Sequence, residues 1–256
     1  MKSVHLIIIL LFLASCNREK IKLGIKLEPG SKHITEAKIL IGENGQFGRM
    51  EFTIEDEVVS ADESGTHQMN FYYRRMSMEI QGQSYDSDFP DQGQFSRLVH
   101  QQLSFLFNKP MKGIVKSNGE TKIIEDFTQW PGYDELNPKI AKSFEESFSH
   151  RNISLPTDEI TEGDSWTANV ERESNGMLMD MDMTYTLKSV SDDEIVIDLR
   201  GTMKSKSGMS MTGNITGEMI LDGQTHYNKS VKMDFDMKAQ GQSIPMSIVM
   251  ETTKEE

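Results

Sequence analysis

Cysteine is almost missing from this chain: Cys16 is the only one in 256 residues. No disulfide framework braces the fold, and stability has to come from a packed core. Long apolar runs are missing too. The longest, Leu6 to Leu13, has eight residues, and a bilayer span needs about twenty. Positive charge is scarce, with 27 Lys and Arg against 40 Asp and Glu and a net charge of −13. That argues against nucleic-acid partners and against electrostatic attraction to anionic lipid. No proline-rich or glycine-rich linker divides the sequence. Catalytic signatures are absent as well: there is no serine in a nucleophile elbow, no glycine-rich loop before a helix and no paired-histidine helix. The histidines His33, His67, His100, His150 and His226 show no metal-ligand spacing. No cofactor or metal is expected, and the chain does not read as an enzyme.

What is present begins at the N-terminus. Lys2, the apolar run and then Leu13-Ala14-Ser15-Cys16 have the layout of an export signal ending in small residues. The pattern resembles the bacterial lipoprotein box, in which cleavage falls before the cysteine and its sulfur and new amine are acylated. The alternative is an ordinary secretory signal with a chance cysteine. The lipobox implies a signal peptide over 1–15, a lipidated tether over 16–20 and a membrane partner reached through acylated Cys16. Several acyl chains together hold a protein durably, at about 0.8 kcal/mol per buried CH₂. Asn17 stands where an inner-membrane retention signal would place Asp, which favours the outer membrane. The mixed charges of Asn17-Arg18-Glu19-Lys20 lean to its periplasmic face.

Period-two alternation dominates residues 21–256, read as one β-rich domain. A first strand block spans 21–90, with Ile21, Leu23, Ile25 and Leu27 on one parity and further runs through Ile39, Phe52 and Phe71. The apolar parity switches at Arg74-Arg75, which predicts a bulge. A helix–hairpin–helix insert spans 91–155. Phe95, Leu98, Val99, Leu103, Leu106 and Phe107 have helical spacing, and Asn118-Gly119 predicts a two-residue hairpin turn. Asn137 and Pro138 start a second helix that buries Ile140, Ala141, Phe144 and Phe148. The second strand block, 156–256, is a meander with one apolar face. Met50–Ile54 aligns with Met181–Tyr185, which suggests a weak internal duplication; chance similarity among alternating strands is the competing explanation.

Twelve of the 18 methionines fall between Met177 and Met250. Three readings stay open for this stripe: an ordinary sheet core, an adaptable lining for a greasy ligand, or a soft-metal site. Copper is the poorest, because the stripe contains no His or Cys. Asp180, Asp182, Asp234 and Asp236 lie opposite the methionines with Lys188, Lys232 and Lys238, and read as a solvated face rather than a calcium ladder.

With the lipobox come Glu28-Pro29-Gly30, the hairpin Lys112–Gly119, Leu155-Pro156 leading to Glu162-Gly163-Asp164-Ser165-Trp166, and Ile215–Asp222. Together these resemble a family of bacterial lipoproteins classed as a domain of unknown function. The motifs mark turns and strand starts, so the resemblance implies fold and no active site. More distantly, a long antiparallel sheet packed with helices resembles lipoprotein-carrier half-barrels, at the level of fold only. The expected architecture is α+β: a strongly curved, mainly antiparallel sheet with two amphipathic helices on its apolar face. The expected function is non-enzymatic binding of a hydrophobic or lipid-like ligand, on a face carrying Met177, Met179, Met181, Met183, Met211, Met219, Met233 and Phe235 of the sheet and Leu103 and Phe107 of the first helical segment. An envelope scaffold with a filled core that contacts another protein is the alternative. A hydrolase assembled from distant strands comes third.

Overall fold

The computed structural model describes residues 20–126, 130, 153–174, 177–208 and 210–255, with the backbone alone for 172–174 and 177. Cys16, the second helix expected after Asn137, and Met209 lie outside these described residues. Twelve strands form one sheet: β1 Lys32–Ile41, β2 Gly48–Ala61, β3 His67–Ile80, β4 Gln83–Asp86, β5 Met111–Val115, β6 Thr121–Ile123, β7 Ser165–Ser174, β8 Met177–Val190, β9 Glu194–Ser205, β10 Met211–Asp222, β11 Asn228–Ala239 and β12 Gln242–Lys254. The order is β6-β5-β3-β2-β1-β12-β11-β10-β9-β8-β7, with β4 also paired to β3. All pairings are antiparallel. The one sequence-distant seam joins β1 to β12, pairing His33 with Lys254 and Ile41 with Met246.

The sheet is open and strongly curved. Its outermost strands, β6 and β7, are brought near each other by the backbone of 153–155: Leu155 N–H donates to the Asn118 carbonyl after β5, and the Trp166 indole donates to the Ser154 carbonyl. Curvature has a local source in the bulge. Tyr73 pairs with Ile54 and Arg75 with Thr53, which leaves Arg74 as the extra residue. That single insertion keeps Phe71, Tyr73, Met76 and Met78 on the concave side. Arg74 is turned outward, where its guanidinium pairs with Glu55 at 2.7 Å.

The helical part of the expectation is wrong. Among the described residues 60% are strand and 8% helical, with a single α-helix, α1, Gln94–Leu103. A 3₁₀ turn over Ser104–Leu106 follows it. This helix packs beside β4, where Tyr85 Oη lies 3.2 Å from His100 Nδ1, and not across the methionine face. Leu98, expected on its buried side, is exposed. Burial pushes the Tyr85 phenol up to about 12.

Two smaller expectations also change. The hairpin after β5 is not a two-residue turn: Gly119 N–H donates to the Lys116 carbonyl, Lys116 N–H donates to that of Glu120, and only Gly119 has a positive φ, +87°. This is a type I turn followed by a left-handed glycine, the three-residue solution. Residues 21–30 do not join the sheet as a strand. They cross one end of the trough as an extended strap, with Leu23, Ile25 and Leu27 buried as their parity predicts. Strap amides donate to the Ser117 carbonyl at one side of the curve and to that of Thr225 at the other.

Candidate functional site

The concave face has two halves along the strand direction. At the strap end, Leu187, Ile195 and Ile197 of β8 and β9 are inaccessible to solvent and Leu221 of β10 nearly so, packed in one cluster with the strap. Toward the other end of the same strands the described residues leave a cavity of about 900 Å³. Ten methionines line it, from Met179 on β8 to Met250 on β12. The strand register explains how they converge. Met181 lies opposite Met203, Val231 lies opposite both Met219 and Met250, and Phe235 lies between Ile215 and Met246.

Glycine makes the room. Gly201, Gly213 and Gly217 take inward positions on β9 and β10, in the same alternation as Leu199, Ile215 and Met219. A Cβ at Gly213 would lie 2.8 Å from the Asp236 carbonyl oxygen and 3.2 Å from Met203 Cγ. One at Gly217 would lie 3.1 Å from Met233 Cγ. Each missing side chain lets a methionine from the neighbouring strand settle over bare backbone, and a flexible thioether adapts to such a floor. The polar part of the lining is confined to the facing margins: 118–121 between β5 and β6, Ser154, and Thr167–Glu171 of β7.

Seven of the ten residues expected to hold a ligand come together here: Met179, Met181, Met183, Met211, Met219, Met233 and Phe235. Leu103 and Phe107 do not. Leu103 is buried at the end of α1, and Phe107 bridges to Tyr73 of β3. The side chain of Met177 lies outside the described residues. Met203, Met237, Met246 and Met250 belong to the lining but not to the expected set. Their parity was a usable signal; the inward glycines were the one overlooked.

The convex face is polar and internally matched. Asp180 is within 3.6 Å of Lys204 and 3.4 Å of Lys206 and accepts from Asn169 at 2.8 Å. The Asn169 hydrogen bond, with the two lysines, holds its carboxyl below the usual range. Two strands, β9 and β10, lie between Asp180 and Asp182 on β8 and Asp234 and Asp236 on β11, so the four do not share a site. Among the described residues no cluster of His, Cys, Asp or Glu is arranged to hold a metal ion.

Buried polar groups sit instead at the strap end. Asp56 is fully buried and accepts from Tyr227 Oη at 2.9 Å, and the His33 and Tyr227 rings lie 5.0 Å apart. His67 and His226, unremarkable in the sequence, are both buried. His67 Nε2 accepts from Leu27 N–H at 3.1 Å, and His226 Nδ1 accepts from Gly24 N–H at 3.0 Å.

Fold and site thus define an open, curved antiparallel sheet that cradles an apolar cavity. The family of unknown function DUF6263 matches residues 137–236, a stretch that carries β7 to β10 and most of β11. No curated protein matches the chain. Among solved structures, one described as lipid–protein interactions in lipovitellin is 10% identical with a TM-score of 0.46, covering 90% of this chain and 26% of that one. The chain thus spans about a quarter of the lipovitellin chain's length. Rv2717c from M. tuberculosis is 12% identical with a TM-score of 0.27, covering 88% and 92%. Both likenesses are distant, and neither transfers a residue role to this chain.

Proposed function

We propose that this chain is a non-enzymatic envelope lipoprotein, anchored through Cys16 in the outer membrane and facing the periplasm, that holds a hydrophobic or lipid-like ligand against its methionine face. The observation that supports ligand binding is the cavity. Its volume of about 900 Å³ falls in the range of small-molecule sites, about 300 to 1,000 Å³. Its floor is apolar across five consecutive strands, and its polar groups lie only at the margins. An acyl chain loses water along such a floor at about 25 cal/mol per Å² of apolar surface buried. The same cavity counts against the filled-core scaffold, whose interior would leave no such space. Anchorage rests on the lipobox pattern alone.

Mass spectrometry on an organic extract of the purified full-length chain tests the ligand. A stoichiometric lipid is expected, retained by Asp182→Asn and lost from Met181→Asp, because Met181 lines the cavity and Asp182 faces solvent. Equal retention by both variants, or an empty and well-folded wild-type chain, overturns the reading.

A further inference from the structure

The strap is pinned at its ends by the two-way Ile21–Ile160 bridge and by Gly30 N–H on the Val58 carbonyl; between them four consecutive amides tie it down, and two of those end on histidine. Gly24 donates to His226 Nδ1, Ile25 to the Ser117 carbonyl, Lys26 to the Thr225 carbonyl and Leu27 to His67 Nε2. A backbone carbonyl accepts at any pH. An imidazole nitrogen accepts only while it carries no proton. His226 must therefore be neutral with its proton on Nε2, and His67 neutral with its proton on Nδ1. The two histidines come from separate elements, the β10–β11 turn and the start of β3. The backbone of each is fixed: His226 holds a left-handed φ of +54° in a turn closed by its N–H on the Asp222 carbonyl, and His67 opens β3, paired with Val115 of β5.

We propose that residues 21–30 are an acid-released latch, docked across the trough by two neutral histidines and undocked when both take up protons. The proposal is independent of what occupies the methionine cavity. Protonation puts an N–H where each acceptor was, so imidazolium and strap amide face each other as two donors. The charged groups facing His67 are those of Asp62 in the β2–β3 turn; those facing His226 are Lys26 of the strap and Asp222 of β10. Burial holds both histidines below their ordinary 6.5, helped at His226 by Lys26; it outweighs the backbone of Val115 and Leu27 and the Asp62 carboxylate at His67, and the Asp222 carboxylate and the Gly24 backbone at His226, all of which favour imidazolium. The sign follows: a group depressed on docking stabilises the docked state fully above about 6.5, and that stabilisation is lost as pH falls below it. Release loosens the strap between its end ties at Ile21 and Gly30, next to the segment carrying Cys16.

Hydrogen exchange of the Ile25 and Lys26 amides in the full-length chain tests the latch, because neither amide touches a histidine and both report on the strap as a unit. After correction for intrinsic rates, protection is expected to fall by up to about tenfold per histidine and up to about 100-fold in all between pH 7.5 and 5.5. His226→Asn places an amide oxygen where Nδ1 was, and His67→Gln places one near Nε2, so each keeps an acceptor that does not titrate. Each single variant should show a fall of up to about tenfold, and the double variant none. A flat profile in the wild type, or a full fall in the double variant, overturns the proposal. Imidazole ¹⁵N spectra of the wild type stand apart from whether the variants fold. At pH 7.5 they should show two neutral rings of opposite tautomer, Nδ1–H for His67 and Nε2–H for His226. An imidazolium at that pH, or one shared tautomer, overturns it as well.

Discussion

The two ends of the concave face are built from the same strands in the same alternation, yet one is solid and the other hollow. At the strap end, Leu187, Ile195 and Ile197 are sealed by chain packed over them. At the other end, Met181, Met211, Met233 and Met246 stay partly accessible around the cavity. Residue type follows the difference. Stiff branched side chains stand where a protein surface meets them, because close packing rewards a defined shape. On β8 to β12 the unbranched thioethers gather around the cavity, where they can adapt to a contact of variable shape. Glycine reinforces the contrast: Gly201, Gly213 and Gly217 lie inward at the hollow end, opposite Met183, Met237 and Met233.

Truncation should separate the two ends most sharply. Ile197→Ala removes a fully buried side chain and is expected to cost about 3 kcal/mol in denaturant unfolding. Tyr227→Phe comes next, at about 2 kcal/mol, because it takes a hydrogen bond from the fully buried Asp56 carboxylate. Met233→Ala should cost only about 1 kcal/mol, since the side chain is partly exposed to the cavity. A Met233→Ala cost equal to that of Ile197→Ala would break the comparison, by showing the hollow end to be filled in solution. Asp182→Asn should stay within about 0.5 kcal/mol, which sharpens the distinction between the faces of β8.

Much of the sheet was legible because its period is local. Alternation from Met179 to Leu187 assigns each side chain of β8 to a face without reference to any other strand. The parity switch at Arg74-Arg75 located the bulge for the same reason. The helix failed for a physical cause: the spacing of Phe95, Leu98 and Val99 specifies that a helix forms, but not which surface it meets. Packed beside β4, α1 leaves Leu98 in solvent and carries Leu103 away from the methionines. The strap failed likewise, since alternating Leu23, Ile25 and Leu27 would suit a sheet strand equally well. His67 and His226 carried no signal, because an imidazole becomes an acceptor for a distant amide only through the fold.

Local pattern was enough to assign which residues face inward, where the chain bends and that methionine concentrates on one face, because period, turn chemistry and composition act over a few residues. Folding alone settled that one end of that face is filled by the chain's own strap while methionines surround a cavity at the other. That outcome depends on contacts between segments up to 202 positions apart, and on glycines whose missing side chains matter only once a neighbouring strand lies against them.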